Sequence, residues 1–142
     1  MIEAFLSNPS AVIGAILLAC FSGYIISRNN KISRFAAASA AFRSAFSDAY
    51  SKIKNGNDDP FTILTASFSG HETAVLEFAR YLNPIARKGL LGAWREYHSH
   101  EKANIRFIEQ YTTSGVSLSQ GQVNRKLAIQ RIEYFLSYAK QT

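Results

Sequence analysis

An all-α fold, with a single N-terminal transmembrane helix followed by a small cytoplasmic helical bundle, follows from three features of this chain. Between Glu3 and Arg28 there is no charged side chain, and Ala11 to Ile26 is almost wholly apolar. From Lys31 onward apolar residues recur at three- and four-residue intervals, the period of helices with one buried face. Prolines and glycines punctuate those runs, and no stretch of useful length alternates as a strand would.

The first element is the span, within an anchor assigned to residues 1–27. Asn8 fits an N-cap and Pro9 the first helical position, where its missing N–H is no loss. A helix from Pro9 to Ser27 covers about 28 Å, against a hydrocarbon core of about 30 Å. A Lys, Arg or Asp at the bilayer centre costs roughly 2.5 to 3.5 kcal/mol, so a long uncharged run marks a membrane segment. Tyr24 falls near the far interface, where aromatic anchors concentrate. A cleaved signal peptide fits poorly, because Met1 to Ser10 has no basic side chain and no small-residue cleavage site follows. Leu17-Leu18-Ala19-Cys20 looks like a lipoprotein box, yet Phe21, Tyr24, Ile25 and Ile26 continue the apolar helix past the cysteine. A buried core helix is the remaining rival at this length.

Arg28, Lys31 and Arg34 follow the span, and a lone acid precedes it. The positive-inside rule places the C-terminal domain in the cytoplasm, and the same three bases are the candidates for contact with anionic lipid. Ala11, Ala15, Ala19 and Gly23 repeat every four residues. Such a small face lets helices approach closely in lipid, where no hydrophobic gain drives pairing. The expected occupant is another membrane protein or a second copy of this chain.

Residues 28–142 are long enough for one modest core. With Glu3 set aside, that part has 16 basic against 9 acidic side chains, a balance that favours anionic neighbours. The lone Cys20 lies inside the span, so no intramolecular disulfide is expected. Lys31 to Lys54 reads as one helix with Phe35, Phe42, Phe46, Tyr50 and Ile53 on one side. Asn55-Gly56 stops it through a left-handed glycine, and Asp59-Pro60 caps a short helix from Pro60 to Phe68. Ser69-Gly70-His71-Glu72 fits a capping box for a helix from His71 to Leu82, burying Ala74 or Val75, Phe78 and Leu82. Asn83-Pro84 breaks it. Ile85 to His98 is helical, with Leu90, Leu91, Trp94 and Tyr97 inward, although Gly89 and Gly92 weaken its helical signal. Glu101 to Tyr111 continues or restarts that helix. Residues 114–121 form an internal loop within a polar, glycine-bearing stretch that begins at Thr112. A last helix from about Gln122 to Lys140 buries Leu127, Ala128, Ile132, Phe135, Leu136 and Ala139.

Chemistry is sparse. His98 and His100 are two residues apart and point to opposite sides of a helix. Glu96 and His100 share a face, but an ion needs a third ligand. His71-Glu72 begins like a zinc-protease helix, yet Val75 occupies the place of the second histidine. No phosphate-binding glycine loop and no Gly-x-Ser-x-Gly elbow occurs. Catalytic, cofactor-binding and metal-binding residues are therefore all assigned as none. The aromatics fall at core spacing rather than on an exposed stacking platform, which disfavours nucleic acid as a partner. Arg87, Lys88 and Arg95, with Arg125, Lys126 and Arg131, are the better candidates for a basic partner surface.

Two runs carry a resemblance. They are His71 to Tyr97, with Glu77-Phe78, Arg87 and Ala93-Trp94-Arg95-Glu96-Tyr97, and Ala128 to Lys140, with Arg131-Ile132-Glu133-Tyr134-Phe135. Both resemble segments of small bacterial proteins that place a short hydrophobic N-terminus before a helical domain. The resemblance implies a bacterial or phage setting and favours the bacterial inner membrane; it carries no activity. The expected function is a non-enzymatic, membrane-anchored accessory subunit. The alternatives are an oligomerising membrane effector, in phage defence or superinfection exclusion, and a membrane-tethered nucleic-acid binder.

Overall fold

The computed structural model describes residues 9–100, 105–106 and 110–140. Four helices account for most of them: α1 (Pro9–Asn55), α2 (Pro60–Phe78), α3 (Pro84–His98) and α4 (Leu118–Tyr138). A one-turn 3-10 helix, Ala79–Tyr81, follows α2. Ser99–His100 pairs antiparallel with Ile105–Arg106, Ser99 opposite Arg106. The fold class is all-α, as the periodicity predicts. The chain divides into two compact units, Met1–Ala36 and Ala37–Thr142. The described part of the first is helical throughout.

The second unit closes around aromatic rings. From α1 it buries Phe42, Phe46, Ala49 and Ile53, the spacing of a single helix stripe. Leu64, His71, Val75 and Phe78 come from α2, Leu90, Trp94 and Tyr97 from α3, and Ala128, Ile132 and Phe135 from α4. Phe42 stacks on Phe78 with centroids 4.6 Å apart, and Phe46 stacks on His71 at 4.1 Å. Phe135 then meets Phe46 at 5.5 Å and the edge of Tyr97 at 5.1 Å. Each fully buried apolar side chain of this size is worth about 1.5 to 3 kcal/mol, so this cluster dominates the unit's stability.

Several local expectations are corrected. The helix expected to end at Phe68 runs on to Phe78, and Ser69 makes no capping box; its carbonyl accepts from Thr73 Oγ1 at 3.0 Å. Burial of the Leu64–His71–Val75–Phe78 stripe outweighs the roughly 1 kcal/mol that a mid-helix glycine costs. Within the region expected to form the next helix, Val75 and Phe78 are buried as expected, and Leu82 is only half-buried. Gly56 does follow α1, but the positive-φ glycine among the described residues is Gly115, at 74°. Glycine is needed at position 56 for another reason: a Cβ there would lie 2.6 Å from the Lys52 carbonyl oxygen. Asp59 sits at the N-cap of α2 with Pro60 inside, as expected, yet its carboxylate makes no cap. It accepts instead from Thr113 N–H at 2.7 Å and from the Thr112, Thr113 and Ser114 hydroxyls.

Asn83 does break the chain and also starts α3, its Oδ1 accepting from Ala86 N–H at 2.9 Å. The helix expected over Glu101 to Tyr111 is not continuous, since Ile105 and Arg106 are extended and paired; residues 101–104 and 107–109 lie outside the described set. The loop expected over 114–121 ends early. Ser117 caps α4 through Gln120 N–H, and the helix begins at Leu118. Gly121 is thus helical and buried, where a Cβ would be 3.5 Å from Thr113 Cβ.

Candidate functional site

Among the described residues, one helix is long and apolar enough to cross a membrane: α1, whose most apolar 18-residue window has a mean hydropathy of 1.5. None of that window is buried. From Ile13 to Ile26 every large apolar side chain is between 41% and 68% exposed. A helix in a protein core hides its apolar face, and soluble surfaces rarely show contiguous apolar patches of this extent. This segment therefore carries an apolar surface that the described residues leave exposed. Ala15, Ala19 and Gly23 are exposed on it, and a Cβ at Gly23 would meet nothing within 4 Å. The fourth member of the small face, Ala11, has its side chain outside the described set. Cys20 is a free, exposed thiol.

Arg28, Lys31 and Arg34 are exposed on the same helix. Three-residue steps place them within about 9 Å along the axis and on one side. They form a compact basic collar directly after the apolar window.

The six bases expected to form a partner surface have different fates. Arg87, Lys88 and Arg95 of α3 line one shallow hollow of about 350 Å³ together with Leu82, Pro84 and Leu91. Lys126 is exposed. Arg125 is instead a structural clamp. Its guanidinium donates to the carbonyls of Ile53 at 2.6 Å, Gly56 at 2.8 Å and Asp58 at 2.7 Å. These carbonyls lie at the end of α1 and just beyond it, where the last turn lacks intrahelical partners. Arg131 pairs with Glu96 at 2.8 Å, its own side chain 19% exposed. Spacing could not separate these roles, because the acceptors lie 35 to 72 residues away in sequence.

The histidine-rich stretch gives no ligand set. His98 Nδ1 donates to the Trp94 carbonyl at 2.6 Å, and Glu96 is engaged by Arg131. The His100 side chain lies outside the described set. Among the described residues no three His, Cys, Asp or Glu side chains are grouped to share an ion.

One buried polar cluster escaped the sequence reading. His71 is 1% exposed, its Nδ1 3.1 Å from the Tyr97 hydroxyl. The Tyr97 carbonyl in turn accepts from Tyr111 Oη and Gln110 Nε2, each at 3.0 Å. Among the described residues nothing lies in hydrogen-bond geometry with His71 Nε2. Burial pushes the His71 pKa down from 6.5 to about 4, and the nearby Ala45 carbonyl offsets only part of this. Burial likewise raises the Tyr97 and Tyr111 hydroxyls well above the usual phenol range. All three groups are neutral at neutral pH and enclosed by rings, which makes this a structural polar core. The available signal was His71 in line with Leu64, Val75 and Phe78 on one helical stripe.

Comparison with protein-family models, curated proteins and solved structures gave no match. The functional reading therefore stands on the residues and their geometry.

Proposed function

We propose that this chain is a single-pass membrane protein of the bacterial inner membrane, a non-enzymatic accessory subunit whose helical domain faces the cytoplasm. The observation that carries the reading is the uncharged window of α1, with its large apolar side chains uncovered by the rest of the described chain. Lipid, or another span seated along Ala11, Ala15, Ala19 and Gly23, supplies the missing cover. The collar of Arg28, Lys31 and Arg34 supports the cytoplasmic orientation. The bacterial setting rests on the resemblance of the His71–Tyr97 and Ala128–Lys140 runs. Arg87, Lys88, Arg95 and Lys126 remain as the basic surface offered to a partner, while Arg125 and Arg131 hold the fold.

The test is detergent extraction of the tagged full chain from membranes, with mass spectrometry of what accompanies it. A stoichiometric second membrane protein is the expected result. Recovery as a homo-oligomer alone, with dye leakage from reconstituted vesicles, replaces the accessory subunit with the self-assembling effector. Binding to nucleic acid that weakens steeply with salt would support the tethered binder. A chain found in the soluble fraction overturns the proposal.

A further inference from the structure

Cations are dense in one stretch of the second unit. From Ala79 to Arg95 the sequence has Arg80, Arg87, Lys88 and Arg95 and no acid. The next acid, Glu96, is held by Arg131 at 2.8 Å. Arg80, Arg87 and Lys88 are exposed. Large apolar side chains stand among them: Ile85 is 87% exposed and Tyr81 49%. A scattered exposed apolar residue is ordinary. An exposed isoleucine and tyrosine in a segment with four bases and no acid are the make-up of a surface that meets lipid headgroups, although Glu77 lines the same groove as Arg80 and Tyr81.

Position in the unit points the same way. Arg80 and Tyr81 share a groove of about 720 Å³ with Ala37 and Ala38. Arg80 and Tyr81 therefore lie at the end of the unit where the chain enters from residue 36, and Ile85, Arg87 and Lys88 follow them closely in sequence. Ala37 follows Arg28 by nine residues, a tether of at most about 30 Å even when fully extended. So short a link keeps that end within reach of whatever surface Arg28 occupies.

We infer that this end is a second lipid-contacting surface: Arg80, Arg87 and Lys88 engage anionic phospholipid headgroups, and Tyr81 and Ile85 seat in the interface. The four bases without an acid from Ala79 to Arg95, on a unit joined to the span by a short link, favour anionic lipid over a protein partner for the exposed Ile85. The inference rests on the membrane-anchor reading.

The experiment uses the full chain carrying Cys20→Ser and Ile85→Cys, labelled at position 85 with an environment-sensitive fluorophore. It is reconstituted in vesicles of phosphatidylcholine, alone or mixed with phosphatidylglycerol. The expected result is blue-shifted emission, quenched by nitroxide lipids, in the phosphatidylglycerol vesicles only. Raised salt and the pair Arg87→Glu and Lys88→Glu should each abolish it. Water-like emission in both vesicles overturns the inference. So does an equal shift in lipid-free detergent, which would mean that protein covers the site. Alkaline extraction of the same vesicles reports on the span separately: a chain that stays embedded with a water-exposed label loses only this surface, whereas a released chain loses the anchor and the tether argument together.

Discussion

His71 shows how one residue can set a protein's pH response without any catalytic part. Its ring is stacked on Phe46, bonded to Tyr97 and shut off from water, so the folded chain resists protonating it until about pH 4. Above pH 6.5 the ring is neutral in folded and unfolded chains alike and contributes no slope. Between pH 6.5 and 4 the unfolded chain takes up a proton that the folded one refuses, so stability falls with falling pH. Below pH 4 the loss levels off at about 3 kcal/mol. Denaturation of the wild type and His71→Gln at pH 7.5 and 4.5 should show the steeper acid loss in the wild type; equal slopes would refute the assignment. Arg125 is a second residue whose meaning is structural. Replacing it with Met keeps most of the stem but strands the carbonyls of Ile53, Gly56 and Asp58. Hydrogen bonds to a charged group contribute about 1.5 to 3 kcal/mol each at most, and the exposed Asp58 carbonyl can turn to water. A loss of about 2 to 3 kcal/mol is expected for Arg125→Met, against little change for the exposed Lys126→Met, both read by chemical denaturation.

Helix by helix, glycine gives the sharpest test of the packing. Gly70 and Gly92 sit inside α2 and α3, where an added Cβ would meet nothing within 4 Å, whereas at Gly89 that atom would lie 2.7 Å from the Tyr138 hydroxyl. Gly70→Ala and Gly92→Ala should each stabilise by about 0.5 to 1 kcal/mol through helix propensity. Gly89→Ala should lower the melting temperature, because Tyr138 is buried and bonded to Tyr134. A stabilising Gly89→Ala would show that α3 and α4 are not packed as described. The helices themselves were legible where a long stripe ran uninterrupted, as from Phe42 to Ile53 and from Ala128 to Phe135. They were misread where a local signal competed with burial. Ser69 to Glu72 has the letters of a capping box, but that pattern cannot weigh itself against the stripe that carries α2 through it. At the start of α4, Ser114, Ser117 and Ser119 all suit a cap by residue type, and only the fold selects Ser117. Asn29-Asn30, which reads equally as a hinge or a polar turn, lies within α1.

At the scale of the whole molecule, the apolar window was fully readable because hydropathy is a property of neighbouring residues. The roles of the bases were not, because whether an arginine meets solvent or carbonyls is decided by segments far away in sequence. Burial also separates along the chain. Among the described residues the buried set begins at Ser39 and Phe42, while the exposed large apolar residues before it run from Ile13 to Ile32. Among the described residues of the first unit none is buried. A fragment of residues 29–142 is therefore expected to fold alone, since it keeps every ring contact of the core and the Arg125 clamp. It should appear in the soluble fraction, with a helical circular dichroism spectrum and a cooperative melt, while the full chain sediments with membranes. An unfolded or aggregated fragment would mean that the apolar window belongs to the core after all, the buried-helix reading. A fragment that folds but still sediments with anionic vesicles, even when it carries Lys31→Glu and Arg34→Glu, would place lipid binding in the second unit as well. That outcome is the one the cations around Ile85 lead us to expect at low salt, since each base beside an anionic surface gains about 1 kcal/mol that screening removes.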